Sequence, residues 1–238
     1  MYKKIICSFI GLLCFISVSS ANNLYILDSP TTGILNYGSY DVSFRFFSGG
    51  SVQTRLDFGV FKFMYVGIAW ELDNFVGNEE MTIAVPALSV KIRLYEGNMI
   101  WPSVAFGYDG QGYFFDEDLE DDYVQRGRGI YLVTGREVFF EGLNVNLGIN
   151  VNNFKDTTVH AFANAIIPAP FAKDTVFLMT EYDNMGYFPD ARINFGLRLT
   201  LTEAVDVDFM MRDCWGKDSA DDKLPNERVF KVSYSGKF

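Results

Sequence analysis

The chain has 238 residues, with 30 Asp and Glu against 20 Lys and Arg, a net charge of −10 and 16% aromatic residues. That balance excludes nucleic acid as a partner, because phosphate binding needs clustered Lys and Arg. Of the three cysteines, Cys7 and Cys14 lie near the N-terminus, so no internal disulfide framework is expected.

Met1 to Ala21 reads as a secretory signal peptide. Lys3 and Lys4 supply its positive region, Ile5 to Val18 is an apolar run of fourteen residues, and Ser19-Ser20-Ala21 offers the small residues a signal peptidase reads. The run is too short for a transmembrane helix, which needs roughly twenty apolar residues. Leu13 stands before Cys14, where a lipoprotein signal needs a small residue. Cleavage removes two lysines and no acid, which leaves residues 22–238 as one domain with net charge −12 and Cys214 as its sole cysteine.

Beyond the signal, apolar residues recur with period two and no helical period is sustained. In Leu88-Ser89-Val90-Lys91-Ile92-Arg93-Leu94 the odd positions are polar and the even ones aliphatic. Leu143 to Val151, Ile193 to Leu199 and Val205 to Phe209 alternate in the same way. Such strands turn one face to an apolar medium and the other to a polar one. Twelve are predicted, at 39–47, 51–60, 63–72, 86–96, 100–108, 128–137, 143–152, 158–167, 174–182, 191–201, 204–212 and 227–238. Most approach the nine to eleven residues that a tilted strand needs to cross a bilayer. Short connections alternate with mostly longer ones, the asymmetry of bacterial barrels with short periplasmic turns. The expected fold is an all-β, antiparallel, up-and-down transmembrane β-barrel in the outer membrane.

The final strand places Phe230, Val232, Tyr234, Gly236 and Phe238 on one face. An alternating strand that closes on an aromatic resembles the signal read by the outer-membrane assembly machinery. A soluble β-sandwich yields similar alternation with the faces reversed. Against it stand the aromatics near strand ends, Tyr40, Trp70, Trp101, Tyr108, Tyr182 and Phe238, where interfacial girdles lie. The opposite face carries both charge signs: Asp41, Arg45, Arg55, Asp57, Glu71, Lys91, Arg93, Arg192, Arg198, Asp206, Asp208 and Arg212. These are the candidate lumen-lining residues. In a narrow barrel they must pair, and in a wider one they line water and bias selectivity. Twelve strands fall between eight, which fill with side chains, and the sixteen or more of an open channel. Gly67, Gly107, Gly148 and Gly196 on the same face fit close packing.

Pro86-Ala87-Leu88-Ser89-Val90-Lys91-Ile92-Arg93-Leu94-Tyr95-Glu96, with its Lys-x-Arg-Leu core, resembles a segment of the YjbH-type outer-membrane proteins. Pro102 to Tyr108 with Gly110 and Gly112, and Asp57-Phe58-Gly59-Val60 leading into Tyr65 to Ile68, are similar to neighbouring strands of that family. The likeness covers residues 52 to about 150. It implies a barrel linked to exopolysaccharide production, in a short single-barrel form.

Little catalytic chemistry is legible. His160 is the only histidine, and it is followed by Ala161 and Phe162 instead of the serine that a phospholipase of this architecture would carry two positions on. Six acids lie within Asp116 to Asp122, without the glycine or ligand spacing of an EF-hand, and read as a solvated external loop beside Arg126 and Arg128. Cys214 reads as a free thiol in a loop. No metal or cofactor is called for. The expected function is non-enzymatic: a narrow pore or an accessory barrel for envelope or exopolysaccharide export. The alternative is a closed structural or surface-binding barrel, ahead of a lipid hydrolase built on His160. Expected partners are outer-membrane lipid and lipopolysaccharide, the barrel assembly machinery and polysaccharide-export proteins.

Overall fold

The computed structural model describes residues 23–78, 80–115, 123–125, 127–139, 141–151, 158–172, 174–185, 191–214 and 226–238. The stretch 1–21 expected to be a signal peptide, the acidic run 116–122 and Arg126 lie outside them. The strands are β1 Ser39–Phe47, β2 Ser51–Phe61, β3 Met64–Asp73, β4 Thr82–Ile83, β5 Ala87–Tyr95, β6 Ser103–Asp109, β7 Tyr113–Phe115, β8 Tyr123–Gln125, β9 Gly129–Glu137, β10 Asn144–Val151, β11 Val159–Pro168, β12 Val176–Met185, β13 Arg192–Thr202, β14 Val205–Arg212 and β15 Glu227–Lys237.

Twelve of them form the wall. Each pairs antiparallel with its sequence neighbours, apart from the short β4, β7 and β8, and β1 pairs with β15 from Ser39↔Lys237 to Phe46↔Phe230. That last pairing closes the cylinder and leaves no free edge, which is what a sheet inside a bilayer requires. β4 adds only two residues beside β3, and β7 and β8 make a separate hairpin.

Burial follows the alternation with its faces inverted. Leu88 is 66% exposed, Leu147 54% and Phe195 51%, whereas Glu71 and Lys91 are 0% exposed and Asp208 1%. In water that arrangement would expose large apolar side chains and bury charges at once, so it excludes the soluble sandwich. In lipid it is the stable one. The molecule is therefore a closed twelve-strand outer-membrane barrel with an apolar exterior and a polar lumen.

The three longest connections, 74–86, 110–128 and 213–226, all lie at the end opposite the barrel's termini. The others there, 48–50, 152–158 and 186–191, are no longer than 96–102 or 169–175 at the terminal end, so the length asymmetry is weaker than the sequence predicts. Aromatics gather at the terminal rim, where Tyr40 stacks on Phe238 at 6.4 Å and Phe61 on Phe63 at 5.6 Å.

A positive charge placed amid the outward side chains tests the inverted wall. Leu147→Arg, at the middle of β10, should destabilise the folded barrel by about 2–4 kcal/mol in denaturant titrations in lipid vesicles. On the solvated face of a sandwich the same change would cost almost nothing.

Candidate functional site

The lumen is occupied by the chain itself. Residues 23–36, which precede β1 and which periodicity did not mark as an element, run into the barrel as a folded-back hairpin. Tyr25 bridges Pro30, Thr31 N–H donates to Leu24 O at 3.1 Å, and Ile26 N–H donates to Ser29 O at 3.2 Å. Pro30 and Gly33 keep this stretch from continuing as a wall strand. The hairpin enters at the terminal end, where Asn36 O lies under Gly59, and its tip carries Asp28 and Ser29 toward the loop end.

Its apolar side chains meet apolar patches on the wall. Ile26 and Leu27 pack with Phe47, Ile166, Met179, Met210 and Val229, while Leu24, Ile34 and Leu35 pack with Tyr65. A Cβ on Gly196 would lie 2.8 Å from Leu27, so the glycine makes room for the hairpin and not merely for a neighbouring strand. Five buried aliphatic side chains at about 1.5–3 kcal/mol each give the hairpin a firm seat.

The polar contacts fix its position. Glu181 accepts from Asp28 N–H at 3.1 Å and from Ser29 N–H at 2.7 Å, and also takes the Ser29 hydroxyl. Asn164 donates to Ser29 Oγ at 3.0 Å. Lys91 donates to Leu24 O at 2.9 Å and Gly33 O at 3.3 Å, between the rings of Tyr25 and Tyr65. Arg55 grips Asp109 through two bonds of 3.1 and 2.9 Å and donates to Tyr25 Oη at 2.8 Å. Near the terminal end, Ser103 donates to Thr32 Oγ1 at 2.7 Å and Arg198 reaches Asn23.

The Asp28 carboxylate is the focus. It pairs with Arg45 of β1 and, at 2.6 Å, with Arg212 of β14. Both guanidiniums lie on the ring of Tyr113 from the long connection 110–128, with their centres 4.6 and 4.4 Å from its centroid. The described residues 110–115 of that connection fold into the loop-end mouth: Phe115 N–H donates to Glu71 at 3.0 Å, Gln53 donates to Gly112 O at 3.1 Å, and Phe114 packs on Phe47. Among the described residues, hairpin and connection thus meet inside the lumen at one cluster. A cavity of about 40 Å³ remains beside Asp41, Ser43, Asp57, Asp206 and Ser233. That is room for a few waters.

Burial pushes the Asp28 carboxyl upward, but the Arg212 and Arg45 guanidiniums outweigh it and hold the group well below the usual carboxylate range. Burial raises the Tyr113 phenol to about 12 against the pull of Arg45, so the ring that caps the cluster is neutral at physiological pH.

The residues singled out from sequence divide by place. Arg45, Arg55, Asp57, Glu71, Lys91, Arg198, Asp206, Asp208 and Arg212 are all buried inside the barrel. Arg198 holds Asp208 through bonds of 2.7 and 2.9 Å, and Ser89 donates to Asp57 at 3.3 Å. Arg93 lies instead at the terminal rim, half-buried and 3.7 Å from the exposed Glu96. Arg192 sits at the loop-end rim, directly across from Asp183 in the β12–β13 register. On β15, Phe230, Val232 and Tyr234 face outward, and Phe238 is exposed at the rim. His160 points inward on β11 opposite Asn150, away from the bilayer, so it is not placed to act on membrane lipid. Cys214 is a free, half-buried thiol.

Arg128, set beside the acidic run in the sequence, instead grips Asp183 at 2.7 and 2.9 Å. Sequence reasoning missed Asp28, Ser29, Tyr25, Tyr113, Asp109, Glu181, Asp183 and Glu227. Glu181 and Asp183 carried a signal, because they share the period-two face of Phe177 and Met179. The hairpin carried a fainter one in the apolar density of Leu24 to Leu35.

No protein-family model matches the chain, and no curated protein matches it at a significant level. Among solved structures, a KdgM porin superposes with a TM-score of 0.52 at 11% identity, covering 84% of this chain and 99% of that one. A KdgM porin in complex with disordered oligogalacturonate gives 0.51 at 12% identity with the same coverage. This likeness is one of fold: the same kind of closed barrel.

Asp28→Asn leaves two buried guanidiniums short of their shared carboxylate and should cost about 3–5 kcal/mol in denaturant titrations. Because the folded-state pKa of Asp28 is depressed, its contribution is complete above the unfolded value of about 3.9 and lost as pH falls through the folded one. The gap between wild type and Asp28→Asn should therefore be constant from pH 7 to about pH 5 and shrink only in stronger acid.

Proposed function

We propose that this chain is a non-enzymatic, pore-type barrel of the outer membrane that handles an extended polymer, and that the polymer is an envelope polysaccharide. One observation carries the reading. The lumen is wide enough for a folded-back peptide, and its wall meets that peptide with guanidiniums, carboxylates, carboxamides, hydroxyls and tyrosine rings. A saccharide chain offers comparable cross-section, many hydroxyls and apolar ring faces, and would use the same groups.

Two further points support it. The stretch Pro86 to Glu96 resembles the YjbH-type proteins, whose link is to exopolysaccharide, and one barrel of similar fold has been solved with a saccharide, oligogalacturonate. The wall carries charges of both signs in pairs, which suits a polymer path better than a strongly ion-selective filter. The second reading, a closed structural or surface-binding barrel, draws on the double closure at Asp28 and Tyr113.

Planar-bilayer recording on the full chain lacking residues 24–35 separates the two. A polymer-handling barrel should then conduct steadily, and added oligosaccharides should interrupt the current in brief blocks. Conduction without blocks would remove the polysaccharide assignment. A protein that shows heat-modifiable migration yet no conductance would favour the closed barrel.

A further inference from the structure

We infer that residues 23–36 are a displaceable plug, latched by the Asp28 carboxylate between Arg45 and Arg212, and that their withdrawal opens the lumen. The inference rests on the pore-type reading and adds how the pore is kept shut.

Three observations carry it. The first is connectivity. The wall ladder is complete without the hairpin, since β1 begins at Ser39 and pairs with both β2 and β15 along its length. Withdrawal would break none of the hydrogen bonds that close the cylinder.

The second is that the hairpin holds itself together. The Tyr25–Pro30 bridge and the bonds from Thr31 to Leu24 and from Ile26 to Ser29 are internal, and Thr31 Oγ1 adds another to Leu24 O at 3.2 Å. It is suited to move as a unit on the short tether that leads to β1.

The third is how the wall shares its charges. Arg45, Arg55, Arg128, Arg198 and Arg212 each touch the hairpin, and each has another partner that stays behind. Arg55 keeps Asp109 at 2.9 Å, Arg128 keeps Asp183 at 2.7 Å, Arg198 keeps Asp208 at 2.7 Å and Arg212 keeps Glu227 at 2.6 Å. Arg45 keeps the Tyr113 hydroxyl at 2.5 Å. A segment serving as permanent core would be expected to be the sole partner of the charges it neutralises. Here four arginines keep an acid when the hairpin leaves, while Arg45 keeps only the neutral Tyr113 phenol and Lys91 gives up the carbonyls of Leu24 and Gly33, so entering water has those two charges to take up.

Asp28 is the latch because plug, wall and cap meet there. Its carboxylate joins β1 to β14, and the Tyr113 ring covers the two guanidiniums from the loop-end side. Without that charge the tip keeps its apolar contacts and its bonds to Glu181 but loses its tie to the cap.

The test reads plug position without relying on current. Met179→Cys places a thiol on the wall beneath Ile26 and Leu27, in a background where Cys214 is serine. The lock is the pair Thr32→Cys and Ser103→Cys, whose native hydroxyls are 2.7 Å apart. The rate of labelling by a water-soluble cationic methanethiosulfonate is measured on the full chain in lipid vesicles.

Labelling should be slow with the wild-type plug and at least a hundredfold faster without residues 24–35. Asp28→Asn should raise it at least tenfold, and the oxidised lock should abolish that rise until a reductant is added. If the deletion variant does not assemble, the Asp28→Asn and lock comparison decides by itself. Fast labelling in the locked protein, or an Asp28→Asn rise that the lock does not suppress, would mean that solvent reaches the lumen by another route, and the plug would be overturned. No rise in Asp28→Asn would overturn the latch. Should labelling follow the plug while the plug-less barrel carries no current, the pore-type reading fails and the plug stands.

Discussion

A cylinder of twelve strands in lipid has an interior that is both too wide and too charged to be left alone. Lipid forces the apolar half of each strand outward, as Leu147, Phe195 and Leu88 show, and the alternation then forces the other half inward. That half carries Arg45, Arg55, Lys91, Arg198 and Arg212 with their acids. Side chains can fill an eight-strand barrel, but twelve strands leave a gap across which opposite walls do not meet. Buried charges without partners are too costly to persist, so something must bridge that gap.

Two pieces of the chain do so. The hairpin 23–36 enters at the terminal end and residues 110–115 fold in at the loop end, and they meet at Asp28, Arg45, Arg212 and Tyr113. Their chemistry differs. The hairpin brings apolar side chains to a patch of the lumen that is itself apolar, around Met179, Met210 and Ile166, and this patch gives the filling its register. The connection brings backbone groups to Glu71 and Gln53 and an aromatic lid to the two arginines. Most of the strong ion pairs still run between wall strands, so the barrel's electrostatics do not depend wholly on what fills it.

This division bears on function. A barrel meant only as a scaffold gains nothing from arginines that keep an acid of their own outside the hairpin, as Arg55, Arg198 and Arg212 do, whereas a conduit does. It also explains why the lone histidine is uninformative about chemistry: His160 shares an inward face with Asn164 and Phe162, where it contributes to the filled interior.

The wall is legible in the amino-acid order alone. Period-two alternation, strand length and the β15 pattern ending at Phe238 are local properties, and lipid leaves only one way to satisfy them, so the twelve strands fall within a few residues of where alternation puts them. That order also determined which side chains point inward, because parity along a strand fixes the face; Arg93 and Arg192 strayed to the rims only because their strands end there. That the lumen is filled, and by what, emerges only in three dimensions. Asp28 and Tyr113 are separated by 85 positions, and Asp28 and Arg212 by 184, so no local pattern couples them. Their meeting depends on the barrel's diameter and on which inward positions are apolar, and both exist only once β1 has closed on β15.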